Sequence, residues 1–307
     1  MSLSRYLQEI AKEERPLRYG ALVALSSMSR AEMERFAETW RDLSPQRQRQ
    51  LLSRLVEMAE ENVELDYNSI FLMCLRSPDS EVREKAILGL WEFEDRSLIG
   101  PLLEILSTDV DPKVRSVAAV ALGKFAILAA EGKLSAREAD RIENALLDVL
   151  KSERECTEVR RRTLEAAAPF NTHTVQEFIR RSYESDDLNL RCSALHAMGR
   201  TGEPRWLRYL LRELRSPSPA LRFEATSACA ELGGESSVPH IVPLLDDDDP
   251  QVQIAAVRAL GEIGGVMATR ALRRCLRSDD LTVQEAARQA LDEIEVLENP
   301  LSFHYRI

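Results

Sequence analysis

Apolar positions along the chain follow helical spacing, and one short pattern recurs: an aliphatic residue, then Arg or Gln, then small residues four and seven places later. It starts at Val82, Val114, Val159, Leu190, Leu221, Val252 and Val283, at spacings of 32, 45, 31, 31, 31 and 31 residues. Four equal spacings in a row mark an array of repeats about 31 residues long. From Val252 the stripe Val252, Ala255, Ala256, Ala259 and Leu260 falls at i, i+3, i+4, i+7 and i+8, one face of a helix. The i+4 column reads Ala86, Ala118, Thr163, Ala194, Ala225, Ala256 and Ala287, and the i+7 column Gly89, Ala121, Ala166, Ala197, Ala228, Ala259 and Ala290. Side chains this small let helix axes approach closely. A second amphipathic segment precedes each of the later starts, as at Leu98 to Leu106, Trp206 to Leu214 and Ala271 to Leu276. Alternation of period two never persists, so the pattern predicts an all-α chain of helix pairs.

Turn chemistry supports the pairing. Asp111-Pro112, Ser218-Pro219 and Asp249-Pro250 read as an N-cap followed by Pro in the first helical turn. Thr282 with Glu285, and Ser135 with Glu138, have capping-box spacing. The 45-residue interval implies an insertion near residues 126–140, with a turn at Glu131-Gly132-Lys133 and a lengthened following helix. Residues 1–75 repeat poorly and are expected to be degenerate N-terminal helical repeats that cap the array. Residues 76–297 form the array proper, and 298–307 a C-terminal tail whose segment from Asn299 is expected to dock on the last pair.

The segments Asp109-Val-Asp-Pro-Lys-Val-Arg115 and Asp249-Pro-Gln-Val-Gln-Ile-Ala-Ala-Val-Arg-Ala-Leu-Gly261 resemble the HEAT-repeat family, in its short bacterial form also called the phycobilisome-lyase-type repeat. The resemblance implies one continuous right-handed α-solenoid, an alpha-alpha superhelix of about nine antiparallel helix pairs. It also implies a polar ladder between units, built on an Asp six residues before the pattern's Arg. Asp109 with Arg115 fits that strictly; Ser77, Ser185 and Ser216 stand before Arg83, Arg191 and Arg222, and Gln253 and Gln284 replace the Arg in the last two units. HEAT-like deoxyhypusine hydroxylases bind iron through His-Glu pairs in the repeat. The matching place here reads Arg222-Phe223-Glu224-Ala225, and the chain has no His-Glu dipeptide, so neither metal nor cofactor is expected.

Other chemistry is sparse. His196 and His240 suit surface or capping roles better than metal binding, and the run Asp246 to Asp249 reads as a solvated turn capping the helix at Pro250. Five cysteines without a Cys-x-x-Cys pair, of which Cys74 and Cys275 share one place in the repeat, suit reduced, packed thiols. Met1 to Arg18 lacks an apolar core, no stretch reaches the length of a membrane span, and a cytoplasmic location is expected.

Charge changes the picture more than any motif. The 307 residues carry a net charge of −10, yet residues 151–222 hold 14 basic against 10 acidic side chains. Arg160, Arg161, Arg162, Arg180, Arg181, Arg191, Arg205, Arg208, Arg212 and Arg222 are the candidate partner-binding residues of that stretch. A non-catalytic scaffold holding a protein partner on a concave surface is the leading expectation. Relatives of the phycobilisome-lyase type suggest a lyase-like enzyme subunit as the alternative. The resemblance to HEAT-like DNA glycosylases suggests a nucleic-acid binder using residues 151–222, which the acidic total disfavours.

Overall fold

The computed structural model describes residues 3–298. Eighteen α-helices and no strand occur among the described residues, the all-α repeat that the periodicity predicts. The expected docking of the segment from Asn299 lies outside the described residues. The chain divides into two compact units, residues 1–128 with 134–145, and residues 129–133 with 146–307.

The first unit holds α1 (Leu3–Ile10), α2 (Tyr19–Val23), α3 (Arg30–Asp42), α4 (Pro45–Glu61), α5 (Asn68–Cys74), α6 (Ser80–Gly89) and α7 (Ile99–Thr108), with most of α8 (Pro112–Ala130) and α9 (Ala136–Lys151). Leu51, Leu52 and Leu55 of α4 and Phe71 of α5 lie in its core. Ser29 and Glu32 form a reciprocal capping box on α3, and Ser44 caps α4 ahead of Pro45. Long cations finish two helix ends where carbonyls would otherwise be orphaned. Buried Arg47 donates to Ile10 O at 3.0 Å and Lys12 O at 3.3 Å, and Lys124 Nζ donates to the carbonyls of Leu90, Trp91 and Phe93.

The Ser135–Glu138 box forms as its spacing predicts. The insertion differs from expectation: α8 itself runs 19 residues to Ala130, so the extra chain lengthens the preceding helix as well as the following one. Gly132, at φ 71°, makes the intervening turn left-handed, a region glycine occupies without steric cost.

The second unit holds α10 (Thr157–Ala167), α11 (His173–Tyr183), α12 (Leu188–Arg200), α13 (Leu207–Glu213), α14 (Pro219–Leu232), α15 (Val238–Ile241), α16 (Pro250–Ile263), α17 (Gly265–Cys275) and α18 (Leu281–Glu298). Helices α10, α12, α14, α16 and α18 stack in series, and α11, α13, α15 and α17 each pack on the helix that follows. Both small columns are buried in this stack, Ala194, Ala225, Ala256 and Ala287 completely. The closest approaches pair a glycine with the i+7 alanine of the next unit. A Cβ added at Gly199 would meet Ala228 Cα at 2.8 Å, and one at Gly261 would meet Ala290 Cβ at 2.7 Å.

Capping here departs from the sequence in two places. The Thr282–Glu285 box does not form, because α18 starts two residues earlier than the box requires and Asp280 accepts the Thr282 N–H at 2.7 Å, leaving Thr282 inside the helix. Ser218 stands at the N-cap with Pro219 in the first turn, as expected, but its side chain makes no cap bond, whereas Asp249 accepts from both Gln251 N and Val252 N.

Candidate partner-binding surface

The pattern's second residue, Arg or Gln, points into the loops that link helix pairs. Arg222 Nη1 donates to Ser216 O at 2.9 Å, while its Nε and Nη2 grip both oxygens of Asp247 at 2.8 and 2.7 Å. Arg83 repeats the arrangement in the first unit, on Ser77 O at 2.8 Å and on Asp109 at 2.6 and 2.8 Å. A planar guanidinium suits two parallel bonds to one carboxylate. A ladder is therefore present, and its wiring corrects the one expected. The Arg takes the backbone carbonyl of the residue six places before it, and its carboxylate comes from the loop of the following unit.

The glutamines keep half of this. Gln253 Nε2 donates to Asp247 O at 2.6 Å and Gln284 Nε2 to Ser278 O at 2.5 Å, so the carbonyl bond persists without the ion pair. Arg191 finds a substitute. The loop residue ahead of it is Ser216, and Glu213, three places earlier and almost wholly buried, supplies the carboxylate at 3.4 Å while accepting from the Tyr183 hydroxyl at 2.6 Å. Burial and the Glu213 charge push the Tyr183 phenol up to about 12.

A second cluster occupies the face of α10, α12 and α14. Arg161 and Arg162 both pair with Glu158, and Arg162 Nη1 reaches Glu165 Oε2 at 3.0 Å. Ser193 Oγ donates to Glu165 Oε1 at 2.5 Å, tying α12 to α10. Burial alone would raise the Glu158 pKa, but the bonds and charge of Arg161 and Arg162 outweigh it and hold the carboxyl below its ordinary value. Glu224 on α14 behaves oppositely: burial, reinforced by the negative charge of Glu165, pushes it up to about 7. Burial lowers the His196 pKa against the pull of Glu165, and burial lifts the Cys192 thiol to about 11. His196 is thus a half-buried member of this polar row, and the expected surface or capping role does not describe it.

The remaining candidate arginines go elsewhere. Arg208 and Arg212 on α13 lie against the rings of Tyr209 and Tyr183, with centroid distances of 4.9 and 5.6 Å. Tyr209 packs on buried Trp206 and on Tyr183, so these aromatics are structural. Arg205 pairs with Glu203, and Arg180 is exposed on α11. Arg160 and Arg181 line a separate cavity between the ends of α9, α10 and α11. Eight of the ten arginines are therefore distributed over the ladder, the α10–α12–α14 face, the α13 aromatics and the cavity, and Arg180 and Arg205 lie apart from all four. Six of the ten, Arg161, Arg162, Arg191, Arg205, Arg212 and Arg222, have a carboxylate partner.

Sequence reading missed Glu165, and it named His196 and Glu224 without placing them in a charged row. Their signal is positional. Offsets +2, +3 and +6 from the starts give Arg161, Arg162 and Glu165, then Cys192, Ser193 and His196, then Phe223, Glu224 and Ser227, which stack as columns when the units are aligned.

The aspartate run reads as expected in part. Asp249 caps α16, Asp247 holds Arg222 and Asp246 pairs with Arg274 at 3.2 Å. Among the described residues no cluster of His, Cys, Asp and Glu could hold a metal ion, and no helix is long and apolar enough to cross a membrane. Cys74, Cys229 and Cys275 are buried and Cys156 is exposed, all as free thiols.

A family model described as HEAT repeats matches residues 69–137 and 207–292. No curated protein matches the chain in sequence. Among solved structures, the complex of CpcE and CpcF of phycocyanin lyase from Nostoc sp. is similar over 74% of this chain and 94% of its own, with 16% identity and a TM-score of 0.50. YibA of Escherichia coli is similar over 79% and 96%, with 17% identity and a TM-score of 0.44. Human deoxyhypusine hydroxylase covers 95% and 97%, with 19% identity and a TM-score of 0.36.

Proposed function

Because the chain belongs to the HEAT-repeat family, we propose that it is a non-catalytic scaffold, and that the face formed by α10, α12 and α14 holds a protein partner. One observation carries this reading: the charge row of that face is already half-desolvated and cross-tied before any partner arrives. Glu158, Arg161, Arg162, Glu165 and Ser193 fix one another, so little side-chain freedom remains to be lost on association. Mixed charge at fixed positions suits recognition of another protein surface, where complementarity sets specificity. Nucleic acid is served less well, since phosphate binding rests on uncompensated cations and six of the ten candidate arginines are already neutralised by carboxylates. A relative at the level of the fold, phycocyanin lyase, is itself a complex of two chains, CpcE and CpcF, and this supports a partner-binding role.

Affinity capture from the native host tests the reading. The Arg161→Glu, Arg162→Glu double variant should lose the partner recovered by the wild-type protein by about tenfold or more, from ~1.4 kcal/mol or more of lost complementarity. The exposed control Arg30→Glu should retain it. An identical capture profile for all three proteins contradicts the proposal.

A further inference from the structure

Among the described residues, the ladder arginine Arg160 lacks the carboxylate that Arg83, Arg191 and Arg222 find. Arg160 occupies the same place in the repeat as Arg83, Arg191 and Arg222. Arg83 and Arg222 grip the loop aspartates Asp109 and Asp247, which lie 26 and 25 residues further on. The residue 25 places beyond Arg160 is Ser185, which has no carboxylate. Arg191 escapes the same problem through Glu213, three places before its loop serine, but the residue three places before Ser185 is Ser182. The carbonyl side of the step is unmade too: among the described residues the Arg160 side chain makes no hydrogen bond to the carbonyl of Arg154, six residues before it, and Cys156 gives α10 no side-chain cap. In consequence, Arg160 Nε is buried without a hydrogen-bond partner. Leaving a charged donor unsatisfied in this way is costly, and the chain satisfies the ladder arginines Arg83, Arg191 and Arg222.

The missing group has space. A cavity of about 530 Å³ opens beside Arg160, with Lys151, Arg181, Ser182 and Ser185 on its wall and Phe178 providing an apolar side. Arg181 lies over the Phe178 ring at 5.8 Å, which holds its guanidinium close to the cavity. Glu153 also lines the cavity, is exposed, and forms no ion pair with Arg160 among the described residues. Three cations thus surround the place that a carboxylate fills in the steps at Arg83 and Arg222.

We propose that this cavity is a carboxylate-binding site, in which an acidic side chain of a protein partner seats its two oxygens against Arg160 as Asp109 and Asp247 do against Arg83 and Arg222. The protein source of that carboxylate rests on the scaffold reading; the site itself does not. The ladder supplies the precedent for a carboxylate: at Arg83 and Arg222 an aspartate meets the guanidinium at two points.

The isolated protein tests the site with sodium acetate as the probe, so a missing partner in host extracts and a missing site give different failures. Thermal unfolding is measured in acetate, phosphate and chloride at equal ionic strength. Acetate should raise the wild-type midpoint by about 2–5 °C over chloride, as ligand linkage requires for a weak site near saturation, and the part of the shift that Arg160→Gln loses should be larger in acetate than in phosphate. Ser185→Asp should raise the midpoint in chloride and abolish the acetate response, because it installs the carboxylate internally. The turn tolerates that change: Ser185 Oγ accepts the Asp187 N–H at 3.1 Å, and Asp109 and Asp247 accept the equivalent N–H at 2.9 Å. Arg160→Gln, which uses the residue the chain itself places at 253 and 284, should fold and also lose the response. Equal acetate shifts in wild type and both variants, or a variant-sensitive part of the shift that is larger in phosphate than in acetate, would overturn the site. So would a Ser185→Asp midpoint below that of the wild type in chloride.

Discussion

At the scale of single residues, the second unit controls charge by choosing which groups to desolvate together. Glu224 is the clearest case, with its pKa moved from an ordinary 4.5 to about 7 by burial and by Glu165, against the opposing charges of Arg162 and Arg161. The unfolded chain releases this proton near pH 4.5, whereas the folded chain keeps it until pH 7, so stability falls as pH rises between those values and is level above them. Glu224→Gln removes the penalty. It should exceed the wild type in stability at pH 8 by on the order of 1–3 kcal/mol, with the gap closing by pH 4. Urea unfolding at the two pH values checks this, and a gap that does not change with pH would contradict it. Asp247 has the opposite sign: its bonds to Arg222 depress its pKa, and the stability it contributes is lost as pH falls below the ordinary carboxylate range.

At the scale of elements, helix contacts are set by how little side chain lies between the axes. Gly199 faces the backbone of Ala228 at the α12–α14 contact, so a methyl group there has nowhere to go. Alanine gains about 1 kcal/mol in helix propensity over glycine, but overlap with backbone atoms costs about 1–3 kcal/mol, and the overlap should win. Gly199→Ala is expected to destabilise the protein by up to about 2 kcal/mol, whereas Gly20→Ala in α2, where an added Cβ meets nothing within 4 Å, should be neutral or mildly stabilising. Chemical denaturation of both variants separates propensity from packing. These helices were largely legible in the sequence, because the i+4 and i+7 columns are direct records of close approach. Their ends were less so. Thr282 and Glu285 had the right spacing for a cap, but Asp280 lay nearer the true start and took the bond.

At the scale of the molecule, counting charge along the sequence located a region and not a surface. A helix turns by about 100° per residue, so Arg160, Arg161 and Arg162 leave α10 in three directions. Arg160 turns to the ladder position, while Arg161 and Arg162 join the row with Glu158 and Glu165. Glu165, His196 and Glu224 lie on three different helices, and the last two come within electrostatic range of Glu165 only once the units stack. The ladder also has a consequence for how the second unit comes apart. A row of stacked pairs behaves as a one-dimensional chain of coupled units, and its cooperativity is only as strong as the link between neighbours. The Arg222–Asp247 link joins α14 to the loop ahead of α16, so those helices should open as one in native-state hydrogen exchange. The link at Arg160 is missing its carboxylate, so the amides of α10 and α11 should exchange through a separate, lower-energy opening. A single shared opening energy from α10 to α16 would mean that side-chain links do not set the boundaries of cooperative unfolding here.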